Sequence, residues 1–367
     1  MRSDVALPAW HMGAVHFLSA TSGVGVTAES FPCFQRVTDG TQVESQRQPV
    51  RLAATTDGGR SWHVTGATVP LGPVPDGVVP EQIAAPSPAD VWAVVGRGRL
   101  MATHDGGSDW QAQAVASPVA QVTAADGFVW AVSCPRVPGR IYPLACRPQL
   151  WRTRSAKDSW TRVALPRTTA QDAFHVRFAV TSNDMMIALS EASKRPDGEL
   201  LTSHDAGLRW TKRRAPTWDH NKCDNVAGLT AHSPRSFWLL CLGAAAAGSS
   251  DKGLLHSTDA GRTWSTVSAV TSLTHSPRPG SLPVSEPSAL AAGSQTRLWL
   301  SLTNGLAESN DGGRRWTAVP RAADPGGWPS VIDVLSARHA WLLASGAGLW
   351  RTSDGTHWRA IAPLNTG

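Results

Sequence analysis

Short apolar runs recur along this chain, each bounded by polar turn residues. Asp90-Val91-Trp92-Ala93-Val94-Val95, Phe128-Val129-Trp130-Ala131-Val132, Phe237-Trp238-Leu239-Leu240, Leu298-Trp299-Leu300-Ser301 and Ala340-Trp341-Leu342-Leu343 are the clearest. Each is four to six residues long and rich in β-forming side chains, the pattern of a strand buried on both faces. Shorter segments flank them. At the start of the chain, 14–19, 24–28, 51–54 and 62–65 read as four successive strands. The expectation is an all-β protein.

A turn pattern, Ser/Thr-x-Asp-x-Gly-x-x-Trp, punctuates these strands. It runs from Thr55 through Asp57 to Trp62, from Thr103 through Asp105 to Trp110, and from Ser203 through Asp205 to Trp210. It returns from Ser257 through Asp259 to Trp264 and from Ser309 through Asp311 to Trp316. Two worn copies complete the set. Thr153 to Trp160 has Ser155 in the Asp slot and Lys157 in the Gly slot, and Thr352 to Trp358 keeps Asp354 but is one residue short. The seven tryptophans lie 42 to 54 residues apart, the length of one four-stranded propeller blade with its loops. Seven units, roughly 8–65, 79–115, 119–165, 175–213, 226–267, 289–319 and 331–361, fill residues 1–367 as one domain: a single seven-bladed β-propeller with four antiparallel strands per blade. Each unit is complete in itself, so no strand need be shared between the first blade and the last.

Each residue of the pattern has a local task. The Asp carboxylate is expected to accept backbone N–H groups one to three residues on. The Gly two positions later supplies a positive φ. The Ser or Thr hydroxyl bonds across the turn, and the Trp packs back over the hairpin it begins. If the Asp is a buried acceptor, Asp311→Ala should cost about 1–3 kcal/mol.

These residues match the Asp-box, or BNR repeat, and the chain resembles that repeat family over nearly its whole length. As a whole chain it most resembles the photosystem II assembly and stability factors. These too form one seven-bladed ring, with units like Val91-Trp92-Ala93-Val94, Leu100-Met101-Ala102-Thr103, Asp105-Gly106-Gly107 and Trp110. The resemblance implies that the boxes join the third and fourth strands of each blade and are structural. On that reading Asp57, Asp105, Asp205, Asp259, Asp311 and Asp354, with Trp62, Trp110, Trp160, Trp210, Trp264, Trp316 and Trp358, hold turns and lie away from any binding site. It also implies a non-enzymatic scaffold in an extracytoplasmic space. The long insertions and the cysteine pairs depart from that family, so its photosynthetic partner is not carried over.

The same box occurs in sialidases, and a glycoside hydrolase of sialidase-like type is the alternative reading. That site needs three arginines, a Tyr nucleophile activated by Glu, and an Asp. The chain has one tyrosine, Tyr142, within Gly139-Arg140-Ile141-Tyr142-Pro143, and no arginine triad can be assigned. Paired carboxylates for inverting hydrolysis are not singled out by any spacing. No catalytic residue is assigned.

Connectivity then decides where binding belongs. In an up-and-down blade the boxes share a rim with the turn between the first and second strands. The segments 29–50, 134–146, 191–198 and 243–253, and the inter-blade links 66–78, 166–174, 214–225, 268–287 and 321–329, all fall on the opposite rim. Loops on a rigid scaffold are where binding usually lives. Arg136, Arg140, Tyr142, Arg147, Arg213, Arg214, Trp218 and His220 are the candidate binding residues. They suit a protein or glycan partner of acidic character.

Charge adds little to this. With 34 basic and 28 acidic residues the net charge is +6, and no basic stripe interleaves with exposed aromatics. A nucleic-acid partner is therefore excluded. No apolar run reaches the length of a membrane span, no phosphate loop opens a helix, and no cofactor or metal is called for. A monomeric ring is expected. Cys134 with Cys146, and Cys223 with Cys241, flank hairpin segments closely enough to form disulfides, leaving Cys33 over. Two such pairs favour an extracytoplasmic or secreted location. The first residues, Met1 to Pro8, hold no apolar leader, which leaves a cytoplasmic location as the alternative.

Overall fold

The structure is a computed structural model. It describes residues 11–28, 50–70, 82–95, 98–135, 146–167, 173–191, 198–219, 221–223, 225–246, 249–271, 280–303, 305–319, 329–344 and 348–362. They form seven four-stranded antiparallel sheets and no helix. Blade one is β1 (His11–Phe17), β2 (Gly23–Ala28), β3 (Val50–Thr55) and β4 (His63–Thr65). Blade two is β5 (Gln82–Ala84), β6 (Val91–Val95), β7 (Arg99–Thr103) and β8 (Gln111–Ala112). Blade three is β9 (Val119–Ala125), β10 (Phe128–Ser133), β11 (Gln149–Arg154) and β12 (Thr161–Val163). Blade four is β13 (Ala173–Thr181), β14 (Asp184–Glu191), β15 (Glu199–Ser203) and β16 (Thr211–Arg214). A small hairpin, β17 (Thr217–Trp218) and β18 (Asn221–Lys222), follows. Blade five is β19 (Asn225–Ser233), β20 (Ser236–Ala246), β21 (Ser249–Ser257) and β22 (Ser265–Val270). Blade six is β23 (Pro287–Ala292), β24 (Leu298–Leu302), β25 (Gly305–Ser309) and β26 (Thr317–Ala318). Blade seven is β27 (Pro329–Val334), β28 (Ala340–Ala344), β29 (Gly348–Thr352) and β30 (Trp358–Ala362).

Within every sheet the strands pair in chain order. The first strands meet in sequence around an axis, and β27 returns to β1, so the ring closes without a shared strand. No single core fills the molecule. Instead, one apolar cluster sits at each of the seven junctions between blades. The second-strand tryptophans Trp92, Trp130, Trp238, Trp299 and Trp341 are fully buried in these clusters. Burial on both faces explains why β6, β24 and β28 read as unbroken apolar runs rather than alternating ones.

The repeated turns join the third and fourth strand of each blade. In the turn after β25, the Ser309 hydroxyl donates to Asp311 Oδ1 at 2.9 Å and accepts the Gly313 N–H at 2.8 Å. The same two bonds recur around Thr55, Thr103, Ser203 and Ser257, and in the short seventh copy around Thr352. The carboxylate reaches further than expected: Asp57 Oδ1 accepts the N–H groups of Arg60 and Ser61, three and four residues on. Burial is distributed differently too. Ser309 is 1% exposed, whereas Asp311 is only partly buried, so the hydroxyl is the interior acceptor. Backbone N–H donors, with the Thr263 hydroxyl, outweigh the small burial of Asp259 and hold its carboxyl down to about 2.

The glycine of the turn does two things. Its φ is positive, +93° at Gly107 and +94° at Gly313. It also lies close against the preceding blade. A Cβ on Gly107 would meet Leu52 Cβ and Thr65 O of blade one at 3.1 Å, and one on Gly59 would meet Ile361 and Leu349 of blade seven at 3.0 Å. Gly207 faces Val163, Gly261 faces Met186, and Gly313 faces Leu254 in the same way. The residue just before this glycine is left-handed as well, a requirement the pattern did not reveal. Gly58, Gly106 and Gly312 meet it without strain, while Ala206 (+54°) and Ala260 (+60°) occupy it with a Cβ.

Blade three carries the worn copy that lacks both Asp and Gly, and it has polar ties to blade two. The Trp160 Nε1–H donates to Gln113 Oε1 at 2.6 Å, and His104 Nε2 lies 3.2 Å from Asp158 Oδ1. At the closing seam, Phe17 stacks on Trp341 with ring centroids 3.7 Å apart, and the Trp341 indole N–H donates to Gly58 O. Asp333 of β27 accepts the Phe17 N–H at 2.6 Å and lies 3.1 Å from His16 Nδ1. Burial pulls the His16 pKa down, but the Asp333 charge and hydrogen bond more than offset it, so the net direction is up.

Two outcomes follow for stability. Ser309→Ala, which strands the buried Gly313 N–H, should cost about 1–3 kcal/mol and more than Asp311→Ala, measured by denaturant unfolding. Because the folded His16 pKa is raised, its contribution is complete below the unfolded value of about 6.5 and is lost as pH rises through the folded value. The melting temperature of the wild type should therefore fall across this window more than that of His16→Gln; parallel profiles would show that the seam pair does not titrate as argued.

Candidate functional site

Short turns make up the rim that holds the boxes. The opposite rim receives the connections between second and third strands and the links between blades. Two disulfides brace it. Cys134 and Cys146 join the end of β10 to the approach of β11, and Cys223 and Cys241 join the link after blade four to β20, each with 5.0 Å between Cα atoms. Segment 243–253, expected as a loop, is largely strand. The small side chains after Leu242 let β20 run on to Ala246 past a register shift, and β21 begins at Ser249.

The candidate binding residues have different fates. Arg147 is exposed just beyond the first disulfide, while Arg136, Arg140, Tyr142 and His220 lie outside the described residues. Lys212, Arg213 and Arg214 form β16, whose four residues are all exposed. Arg213 spends one donor on Gly261 O at 3.1 Å, bracing blade four against the turn of blade five. Trp218 is 1% exposed and does not present its ring to a ligand. It lies over β20 and β21, where Gly253 leaves room that any Cβ would fill, and a Cβ on Gly243 would meet its ring at 3.3 Å. Those two glycines on neighbouring strands were the signal in the sequence for a buried indole.

Sequence reasoning also missed Lys252. It is 0% exposed, and its ammonium donates to Ser250 O at 3.0 Å and to Val284 O at 2.5 Å, tying the link after blade five to β21. Burial lowers its pKa to about 8, partly offset by Glu286 and Asp251.

A second location is the ring axis. A cavity of about 270 Å³ is lined by the inner strands of blades seven, one, two and three, with His16, Gln82, Gln121, Thr123 and Asp333 as its polar groups. Both Asp333 oxygens are already engaged by His16 and Phe17. Among the described residues, this cavity has no second carboxylate to form a hydrolytic pair, and no group of three or more His, Cys, Asp or Glu could hold a metal ion.

No protein-family model matches the chain, and no curated protein matches it in sequence. The fold has clear counterparts among solved structures. YCF48 bound to a D1 peptide superposes with a TM-score of 0.60 at 14% identity, covering 95% of this chain and 93% of that one. YCF48 from Cyanidioschyzon merolae gives 0.59 at 13% identity, covering 95% and 96%. An ancestral GH74 enzyme gives 0.61 at 13% identity, covering 98% of this chain but 47% of that one. At these identities the likeness is one of fold: this chain is a seven-bladed β-propeller similar in architecture to YCF48, a photosystem II assembly factor, and to one half of a GH74 enzyme.

Proposed function

We propose that this protein is a non-enzymatic binding scaffold of the Asp-box type, which holds an acidic protein or glycan on the rim opposite the box turns. The observation that carries the reading is the division of labour between the rims. One is built from near-identical turns whose polar atoms bond to each other and whose glycines press on the preceding blade. The other gathers the long connections, both disulfides and the exposed cation Arg214 at the end of β16, with Arg147. A structural neighbour, YCF48, is bound to a D1 peptide, which supports a polypeptide as the partner here. The two disulfides support an oxidising, extracytoplasmic setting.

The partner is to be captured with the intact ring and its affinity measured against salt. Reversing Arg147→Glu and Arg214→Glu together should weaken binding by about tenfold or more at low ionic strength while leaving the melting temperature in place. Unchanged affinity would remove the rim from the account. Turnover of an aryl-glycoside panel by the wild type would replace the scaffold with a glycoside hydrolase.

Thiol titration bears on the compartment. Of the 5 cysteines only Cys33 should react in the denatured, unreduced chain, and all 5 after reduction. Five reactive thiols before reduction would end the case for export.

A further inference from the structure

The box rim is regular in its turns but not in its charge. It carries, for every blade, the turn between first and second strands and the box turn between third and fourth. In blades two and three these turns are acidic. Asp105, Asp109 and Asp126 are exposed there, and Asp90 and Asp158 are half-buried around His104. Lys157 is the only Lys or Arg in those four turns.

The opposite sign holds from blade five round the seam to blade one. Arg235, Arg262, Arg314, Arg315, Arg338 and Arg60 are all exposed in the corresponding turns. None of the six forms an ion pair with a carboxylate among the described residues. Arg60, Arg262 and Arg314 each give one donor to the carbonyl of their own box Asp, at 3.0, 3.2 and 3.0 Å. A neutral carbonyl fixes the guanidinium without cancelling its charge. Acid in the turns of this arc is confined to Asp57, Asp259, Asp311 and Asp354, and each accepts N–H groups of its own turn. Blade four, with Asp205 and Arg209 in its box turn, lies between the two arcs.

Exposed apolar side chains fall on the same rim. Among the described residues the large hydrophobic side chains left in water are Leu208 (77% exposed) and Leu335 (40% exposed). Leu208 belongs to the box turn of blade four, and Leu335 opens the first turn of blade seven.

A ring face with a basic arc across from an acidic one is complementary to a copy of itself. A two-fold axis in the plane of the rim turns one ring over and reverses the order of its blades. Set so that blade two meets blade seven, the axis lays blade three on blade six and blade four on blade five, with blade one on the axis itself. Each facing of acid and base is then made twice, as in any isologous dimer. We propose that two copies of this chain pair box rim to box rim about such an axis, the acidic arc of each ring resting on the basic arc of the other. This pair takes the place of the monomer expected from the sequence. Its two opposite rims point outward at either end, so one dimer offers two partner surfaces at once.

Sedimentation equilibrium of the full chain tests this. At low ionic strength the wild type should approach twice its 38.9 kDa as concentration rises, and return to 38.9 kDa as salt screens the arcs. Arg315→Glu with Arg338→Glu reverses the basic arc, and Asp109→Lys with Asp126→Lys reverses the acidic one. Either pair alone should raise the dissociation constant of the dimer by about tenfold or more. An equimolar mixture of the two variants should regain the dimer mass, because an acidic rim then meets a basic one. A wild type that stays at 38.9 kDa at low ionic strength would overturn the proposal, whether or not the variants fold. So would variants that dimerise as well as the wild type. Variants that stay monomeric when mixed would overturn it too, since their loss would then owe nothing to complementary charge. None of these results touches the opposite rim, whose reading stands or falls on Arg147→Glu with Arg214→Glu.

Discussion

The contact on which this ring depends is the glycine at the heart of the five full box turns, pressed against the blade before it. A hydroxyl, a carboxylate and a left-handed backbone fold the turn into a rigid loop, and the glycine then lets that loop seat against its neighbour. Gly107 rests on Leu52 and Thr65, Gly313 on Leu254, and Gly59 on Ile361 and Leu349 across the seam. A sheet buried on both faces has no intrinsic register with the next sheet, since apolar contact is non-directional. The box supplies a fixed point at the rim, and the tryptophans of the second strands fill the interface below it.

Where that point is lost, other chemistry stands in. Blade three has Lys157 in the glycine slot, and its junction with blade two is held by Trp160 on Gln113 and by His104 between Asp90 and Asp158. Near the axis a second set of ties runs from strand to strand through Gln82, Gln121, Arg177 and Asp333. The seam uses every device at once: box glycine, aromatic stack, indole donor and carboxylate. It has to, because no strand crosses it. With these ties on one rim and near the axis, the long connections fall to the opposite rim.

The ring was legible in the sequence because its determinants are local and repeated. The fixed spacing of Asp, Gly and Trp marks each third-to-fourth-strand turn, and the apolar runs mark the second strands. What depends on which segment lies over which was not legible. Trp218 reads as a surface aromatic in a polar link, yet the hairpin β17–β18 folds it over two glycines on β20 and β21. Lys252 looks like an ordinary strand cation until the fold withdraws it from water. The left-handed slot at Ala206 and Ala260 was hidden by alanine itself, which gives no hint of a positive φ.

One box contains its own control for the claim that the glycine is a seat between blades and more than a turn former. Gly106 and Gly107 are both left-handed, at +71° and +93°, but a Cβ on Gly106 meets only Pro88 O at 3.9 Å, whereas one on Gly107 meets blade one at 3.1 Å. The decisive measurement is the unfolding free energy of Gly106→Ala beside that of Gly107→Ala. Backbone strain alone should limit the first to about 1 kcal/mol, while strain with overpacking at the junction should bring the second to about 3 kcal/mol or more. Equal losses would contradict the account, because the turn would then hold its own shape without setting the neighbouring blade.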